Sequence, residues 1–171
     1  MSIIVRPALP DEYDAAGHLV AEAFIHDGHT ERDGDYAKLL RDPGDRAEKA
    51  ELLVAVDEET GAVLGSVTFA PPGSPYADLA QGQEGEFRML AVSPDPAARG
   101  RGIGELMVRA VIDRARELGL PRIVMSSQQQ MAFAHRIYGR LGFARTPERD
   151  WSPIPGMVLF TYALELSGSP A

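Results

Sequence analysis

Three glycines and two arginines fall within six residues, Arg99 to Gly104, and this turn constrains the chain more than any other stretch. It sits in "EFRMLAVSPDPAARGRGIGELMVRAVIDRAREL", residues 86–118. A strand-like run (86–92) ends at Ser93-Pro94, and a helix-like run (103–118) follows the glycines. In that helix Leu106, Met107, Ala110, Val111, Arg114 and Leu118 recur at helical spacing, and Gly119 stops it. A strand feeding a helix through glycines makes an anion site. The first helical N–H groups lack internal partners, and the macrodipole places about half a positive charge there. A diphosphate fits such a place, with Arg99 and Arg101 as added donors.

The flanking sequence predicts a mixed α/β protein. "IIVRPA" (3–8) reads as a strand, and "PDEYDAAGHLVAEAF" (10–24) as a helix with Leu19, Val20, Ala23 and Phe24 in a stripe. A weaker helix, "YAKLLRD" (36–42), is stopped by Pro43-Gly44. "ELLVAV" (51–56) and "AVLGSVTFA" (62–70) form a hairpin that turns at Gly61. After the glycine turn and its helix come a strand (122–127), a helix (129–141) carrying Phe133, Ile137 and Leu141 on one face, and a last strand (157–166). Nothing divides the chain, so residues 1–171 are expected to form one domain, with 167–171 as a loose tail.

The spacing of the glycines narrows the anion. A dinucleotide fingerprint needs Gly-x-Gly-x-x-Gly, but the sixth position is Glu105 counted from Gly100 and Met107 counted from Gly102. A nucleoside-triphosphate loop needs Gly-Lys, which occurs nowhere. What remains is Arg99-x-x-Gly102-x-Gly104, which resembles the acetyl-CoA signature of the GNAT family of N-acetyltransferases. Two further stretches carry the resemblance: "EFRMLAVSP" is similar to that family's central strand, and "AHRIYGRLGF" to its helix-plus-turn "A..lY.klGF". The resemblance covers at least residues 50–166. It implies a mixed, mostly antiparallel central sheet of six to seven strands flanked by about four helices, with acetyl-CoA as co-substrate. The cofactor-binding residues would be Leu90, Ala91, Val92, Arg99, Gly100, Arg101, Gly102, Ile103, Gly104 and Ser127.

The implied reaction is attack of a neutral amine on the acetyl thioester. Most alkyl amines are protonated at neutral pH, so a base is needed. Glu86, six residues before Val92, is the candidate; the alternative is a structural carboxylate paired with Arg88 on the same strand face. The Leu90 backbone N–H is the implied oxyanion donor, freed by a bulge in the family's central strand. Tyr138, the tyrosine of "A..lY", is the candidate acid for the departing thiolate, against a purely packing role. There are departures. Met131 stands where the family has asparagine, leaving Ser126, Ser127 or Gln128 to take over its contact, and Gly139 follows the tyrosine directly.

With 0 cysteines the chain has no disulfide, thiolate metal site or cysteine nucleophile, so transfer is expected to be direct. A net charge of −8 argues against nucleic-acid binding, and no apolar run is long enough for a membrane. The start lacks the pattern of a signal peptide, so a cytoplasmic setting is expected. Residues 1–60 hold 15 Asp/Glu against 6 Lys/Arg; this is a solvated acidic surface or an acidic wall for a cationic acceptor. His26, Asp27, His29, Glu31, Asp33 and Asp35 cluster in one loop without metal-ligand spacing; by the resemblance the loop borders the acceptor pocket. Trp151 is expected to pack, with a wall of that pocket as the alternative, and His135 to lie at the surface or beside CoA. The acceptor is a small-molecule or peptide amine. Homodimers are common in the family, though this sequence does not show one. A catalytically silent acyl-CoA-binding module and a protein N-terminal or lysine acetyltransferase stay open.

Overall fold

Apolar runs that are buried along nearly their whole length, such as "ELLVAVD" and "VLGSVTFA", require cover on both faces of a sheet. The computed structural model describes residues 2–166, except Asp27, His29, Arg99 and Gln130, and only the backbone of Phe133. Seven strands and five α-helices lie within it: β1 (Ile3–Pro7), α1 (Tyr13–His26), α2 (Asp35–Leu40), α3 (Pro43–Lys49), β2 (Glu51–Asp57), β3 (Val63–Ala70), β4 (Gly85–Val92), α4 (Ile103–Glu117), β5 (Arg122–Gln128), α5 (Ala132–Arg140), β6 (Ala144–Arg145) and β7 (Leu159–Glu165). The strands form one sheet in the order β1-β2-β3-β4-β5-β7-β6. Every pairing is antiparallel except β4 with β5. The mixed, mostly antiparallel sheet expected from the sequence is therefore present.

Each face has its own core. α4 and Tyr138 of α5 close one, with Met107, Val108 and Val111 against Phe69, Phe87 and Ile123. α1 and α2 close the other, with Leu19, Val20, Phe24 and Leu40 against Met89 and Ala91. α4 approaches β3 so closely that a Cβ at Gly65 would sit 2.8 Å from Met107 Cε.

Three local readings differ from the sequence. Pro43 does not only end α2; it opens α3, because a proline at the first helical position lacks only an N–H that would have been unpaired anyway. The buried stripe of α4 is Ile103, Met107, Val108, Val111, Ile112 and Ala115, while Leu106 and Leu118 stay exposed. α5 begins at Ala132, and β6 adds a two-residue strand beyond Gly142-Phe143. The expected loose tail (167–171) lies outside the described residues.

The feature that positions the site is in β4. Its register with β3 jumps between Ser66↔Ala91 and Thr68↔Arg88, so Met89 and Leu90 together stand against Val67. This is a bulge, and Met89 carries φ 57. Among the described residues no other non-glycine has a positive φ. A bulky side chain there is strained, and such strain tends to mark function. β4 and β5 pair only at Gly85↔Ile123 and Glu86↔Val124, then part.

Candidate active site

Where β4 and β5 part, a cleft of about 730 Å³ opens, lined by residues from both faces of the sheet. Glu86, Leu90, Ser127 and Tyr138 all line it. Glu86 is the last β4 residue paired with β5, and the residue is 1% exposed. Its Oε1 accepts the backbone N–H groups of Leu79 (2.8 Å) and Ala80 (2.9 Å). Burial pushes its carboxyl above the usual carboxylate range, and the two N–H groups hold that rise in check. The alternative pairing with Arg88 is absent: the Arg88 guanidinium instead meets Asp78 Oδ2 (3.2 Å) and donates to the Tyr76 carbonyl (3.1 Å).

Tyr138 reaches the cleft from the opposite face. Its ring meets Phe87 edge-on at 5.9 Å, and Phe87 alternates with Glu86 along the strand. Burial pushes the phenol well above its ordinary range, so it remains a protonated donor. Its hydroxyl makes no hydrogen bond among the described residues. Packing and lining therefore coexist in this one side chain. Leu90, at the bulge, has no ladder partner on β3 or β5.

A second cleft of about 560 Å³ begins two residues further along β4. Val92 lines it together with Gly100, Arg101, Gly102, Ile103 and Gly104, while Ala91 faces the other core. Gly102 caps α4 at φ 67, a left-handed conformation, and a Cβ built there meets nothing within 4 Å among the described residues. The first intrahelical bond runs from Leu106 N–H to the Gly102 carbonyl, which leaves the N–H groups of residues 103–105 without helical partners. Arg101 lines this cleft with its side chain already engaged. Its Nη1 donates to Asp57 Oδ2 and the Ala97 carbonyl, both at 3.1 Å, so the side chain braces the loop. Arg99 lies outside the described residues. Sequence reasoning missed Arg140, which lines this cleft from α5 and is paired with Glu105 (2.9 Å through Nε). Its place on the helical turn after Tyr138 was the available signal.

Ser127 is buried at the end of β5. Its hydroxyl meets His135 Nε2 at 3.0 Å and Met131 Sδ at 3.3 Å, so Met131 occupies the asparagine position as a soft acceptor in the wall. Of the two places expected for His135, the surface or beside CoA, the surface one is met only in part. The residue is half-buried against Tyr162 (5.4 Å between rings), and burial lowers its pKa. Trp151 lines the first cleft, and its indole N–H donates to Ser126 Oγ at 3.0 Å.

Of the two readings of the acidic first third, a solvated surface fits most of its carboxylates, and Glu31 alone among the described ones is placed as a wall residue. Glu12, Glu22, Asp45, Glu51 and Asp57 are paired with Arg6, Arg32, Lys49, Arg114 and Arg101. Of the described acidic residues in 1–60, only Glu31 lines the cleft. Asp27 and His29 lie outside the described residues, and no group of metal ligands occurs among the described ones. No described helix is long and apolar enough to cross a membrane.

A family model described as the acetyltransferase (GNAT) family matches residues 14–143. A mycothiol acetyltransferase of Cellulomonas flavigena is 33% identical over 147 residues, covering 84% of this chain and 41% of that protein. The chain thus spans about two fifths of the length of that relative. Among solved structures, yncA of Salmonella typhimurium, determined with its cofactor acetyl-CoA, superposes with a TM-score of 0.69 at 23% identity, covering 100% of this chain and 98% of the other. An acetyltransferase of the GNAT family from Staphylococcus aureus Mu50 gives 0.74 at 13% identity, covering 96% and 99%. At these identities the two structures speak for the fold.

Proposed function

Because the chain belongs to the GNAT acetyltransferase family, we propose that it moves the acetyl group of acetyl-CoA directly onto a primary amine held beside Glu86. The observation that carries this reading is the parting of β4 and β5 at the Met89–Leu90 bulge. It gathers a buried carboxyl, a strand residue without a ladder partner (Leu90) and a phenol around one cleft, two residues from the glycine-loop cleft. The α4 N-terminus and the loop Gly100–Gly104 would take the diphosphate of CoA, and residues 90–92 its pantetheine arm. Arg140 supplies a cation at the same mouth.

The chemistry follows from these groups. Glu86, directly or through water, removes a proton from the ammonium, which frees the nitrogen lone pair. The nitrogen attacks the thioester carbonyl, and the carbonyl π pair moves to oxygen, where the Leu90 N–H stabilises it. The tetrahedral adduct collapses, the C–S bond breaks, Tyr138 protonates the leaving thiolate, and the surplus proton on the new amide nitrogen passes through water back to the tyrosinate. The acceptor in this reading is a small molecule. The apolar, partly enclosed cleft supports that, as does similarity to a mycothiol acetyltransferase.

Calorimetry with acetyl-CoA, and CoA-thiol release across alkyl amines, amino acids and peptides, test the reading. Micromolar binding with thiol release and an acetylated amine is the expected result. Binding without turnover on every amine would leave a silent acyl-CoA-binding module, and failure to bind would remove the cofactor assignment.

A further inference from the structure

The first cleft has a polarity that amine chemistry alone does not require. Its charged lining residues are Glu31, Asp78, Glu86 and Arg88, so Arg88 is the one cation among the described residues there. Arg88 stands two residues beyond Glu86 on the same strand face, about 7 Å along β4. Its guanidinium has five N–H donors. One goes to the Tyr76 carbonyl, and Nη2 makes an ion pair at 3.2 Å with Asp78, a carboxylate whose own side chain is 42% exposed. The Nε–H and one N–H on each Nη make no hydrogen bond among the described residues.

Behind it lies a second cation. Arg46, on α3, is 0% exposed and donates through Nη1 to the Leu39 carbonyl at 2.9 Å. Its Nε and Nη2 have no partner. Arg46 is near enough to Arg88 for the two charges to oppose one another. Asp42 and Asp45 act on Arg46 as opposite charges but leave its Nε and Nη2 unbonded, so its burial is only partly compensated. An anion held by the free donors of Arg88 also meets this second positive charge behind it. The remaining wall is apolar: Phe24, Tyr36, Met131, Trp151, Ile154 and Met157.

We infer that Arg88, backed by Arg46, reads a carboxylate on the acceptor, so that the acceptor is an α-amino acid with an apolar side chain. This rests on the acetyl-transfer reading above. The planar guanidinium fork matches a carboxylate in a bidentate manner. The short offset between Glu86 and Arg88 suits a molecule whose amine and carboxylate share one carbon. The apolar wall takes the side chain.

The test compares leucine and phenylalanine with isopentylamine and phenethylamine, the same skeletons without the carboxylate, at saturating acetyl-CoA. The parent protein should favour each amino acid by about 100-fold in kcat/KM, the value of a charge-assisted pair in a dry site. Arg88→Met should reduce that preference to about fivefold or less with the KM for acetyl-CoA unchanged, and Arg88→Lys should restore part of it. Equal acetylation of amines and amino acids by the parent would overturn the inference while leaving the transferase reading intact. So would an equal loss for both classes in Arg88→Met, which marks a merely structural arginine. Transfer to neither class, with acetyl-CoA bound, would overturn the inference and leave the transferase reading to the wider amine panel.

Discussion

Arg149 grips Glu84 through both Nη atoms, at 2.9 Å each, across 65 residues of sequence. The same guanidinium donates to the Leu79 carbonyl at 3.0 Å, and Leu79 gives its N–H to Glu86. The loop before Trp151 therefore fixes the loop that holds the candidate base. Arg122 adds a third contact to Glu84, at 2.8 Å.

This network sets an acid limit to stability. Its two arginines hold the Glu84 carboxyl down at about 2, against an ordinary 4.5. A depressed folded-state pKa contributes stability that is complete above about pH 4.5 and lost as pH falls toward 2. Glu84→Gln should cost about 2 kcal/mol near pH 7, between the values for exposed and buried pairs, and flatten the acid side of the stability profile. Denaturant melts at pH 3, 5 and 7 check this; a parallel pH dependence in parent and variant would remove Glu84 from the account.

Glu86 has the opposite sign. Burial raises its pKa, so the carboxylate needed as base is lost at a pH above the ordinary carboxylate range. The acid limb of kcat/KM should therefore fall above pH 4.5. Glu86→Gln keeps an acceptor for the Leu79 and Ala80 N–H groups, yet should lower kcat about 100-fold and abolish that limb. A retained limb in the variant would assign it to another group.

Tyr138→Phe keeps the ring contacts with Phe87 and Phe143 and removes only the hydroxyl. We expect kcat to fall about 10- to 100-fold with the acetyl-CoA dissociation constant within twofold of the parent. Unchanged kcat would return Tyr138 to a packing role.

At Gly102, asparagine and aspartate both tolerate the left-handed backbone better than other side chains, and they differ in charge. Gly102→Asp should weaken CoA binding about 100-fold by placing a negative charge at the start of α4, and Gly102→Asn much less. Equal affinities by calorimetry would move the diphosphate elsewhere.

Local pattern carried much of this in the sequence. The β4–glycine–α4 run, the burial of α1 and the neighbourhood of Tyr138 depend on residues close in the chain. What sequence did not reveal depends on distant partners. The brace between Arg101 and Asp57, 44 residues earlier, has no local sign in the sequence. For the acidic first third, the partners of Glu51 and Asp57, Arg114 and Arg101, lie far along the chain, and composition does not say which carboxylates face the cleft. Arg88 looked like a counter-ion for Glu86 because strand alternation places both on one face, while the loop carrying Asp78 and Tyr76 captures it instead. The bulge at Met89 has no glycine to announce it.

The fate of the acetyl group tests direct transfer most plainly. Acetyl-CoA labelled in its acetyl carbon is mixed with enzyme and an accepted amine, quenched in acid and separated. Every equivalent of released CoA thiol should be matched by one of labelled amide, with no label left on the protein. Label held by the protein, or thiol released without labelled amide, would contradict direct transfer from acetyl-CoA to an amine in this cleft.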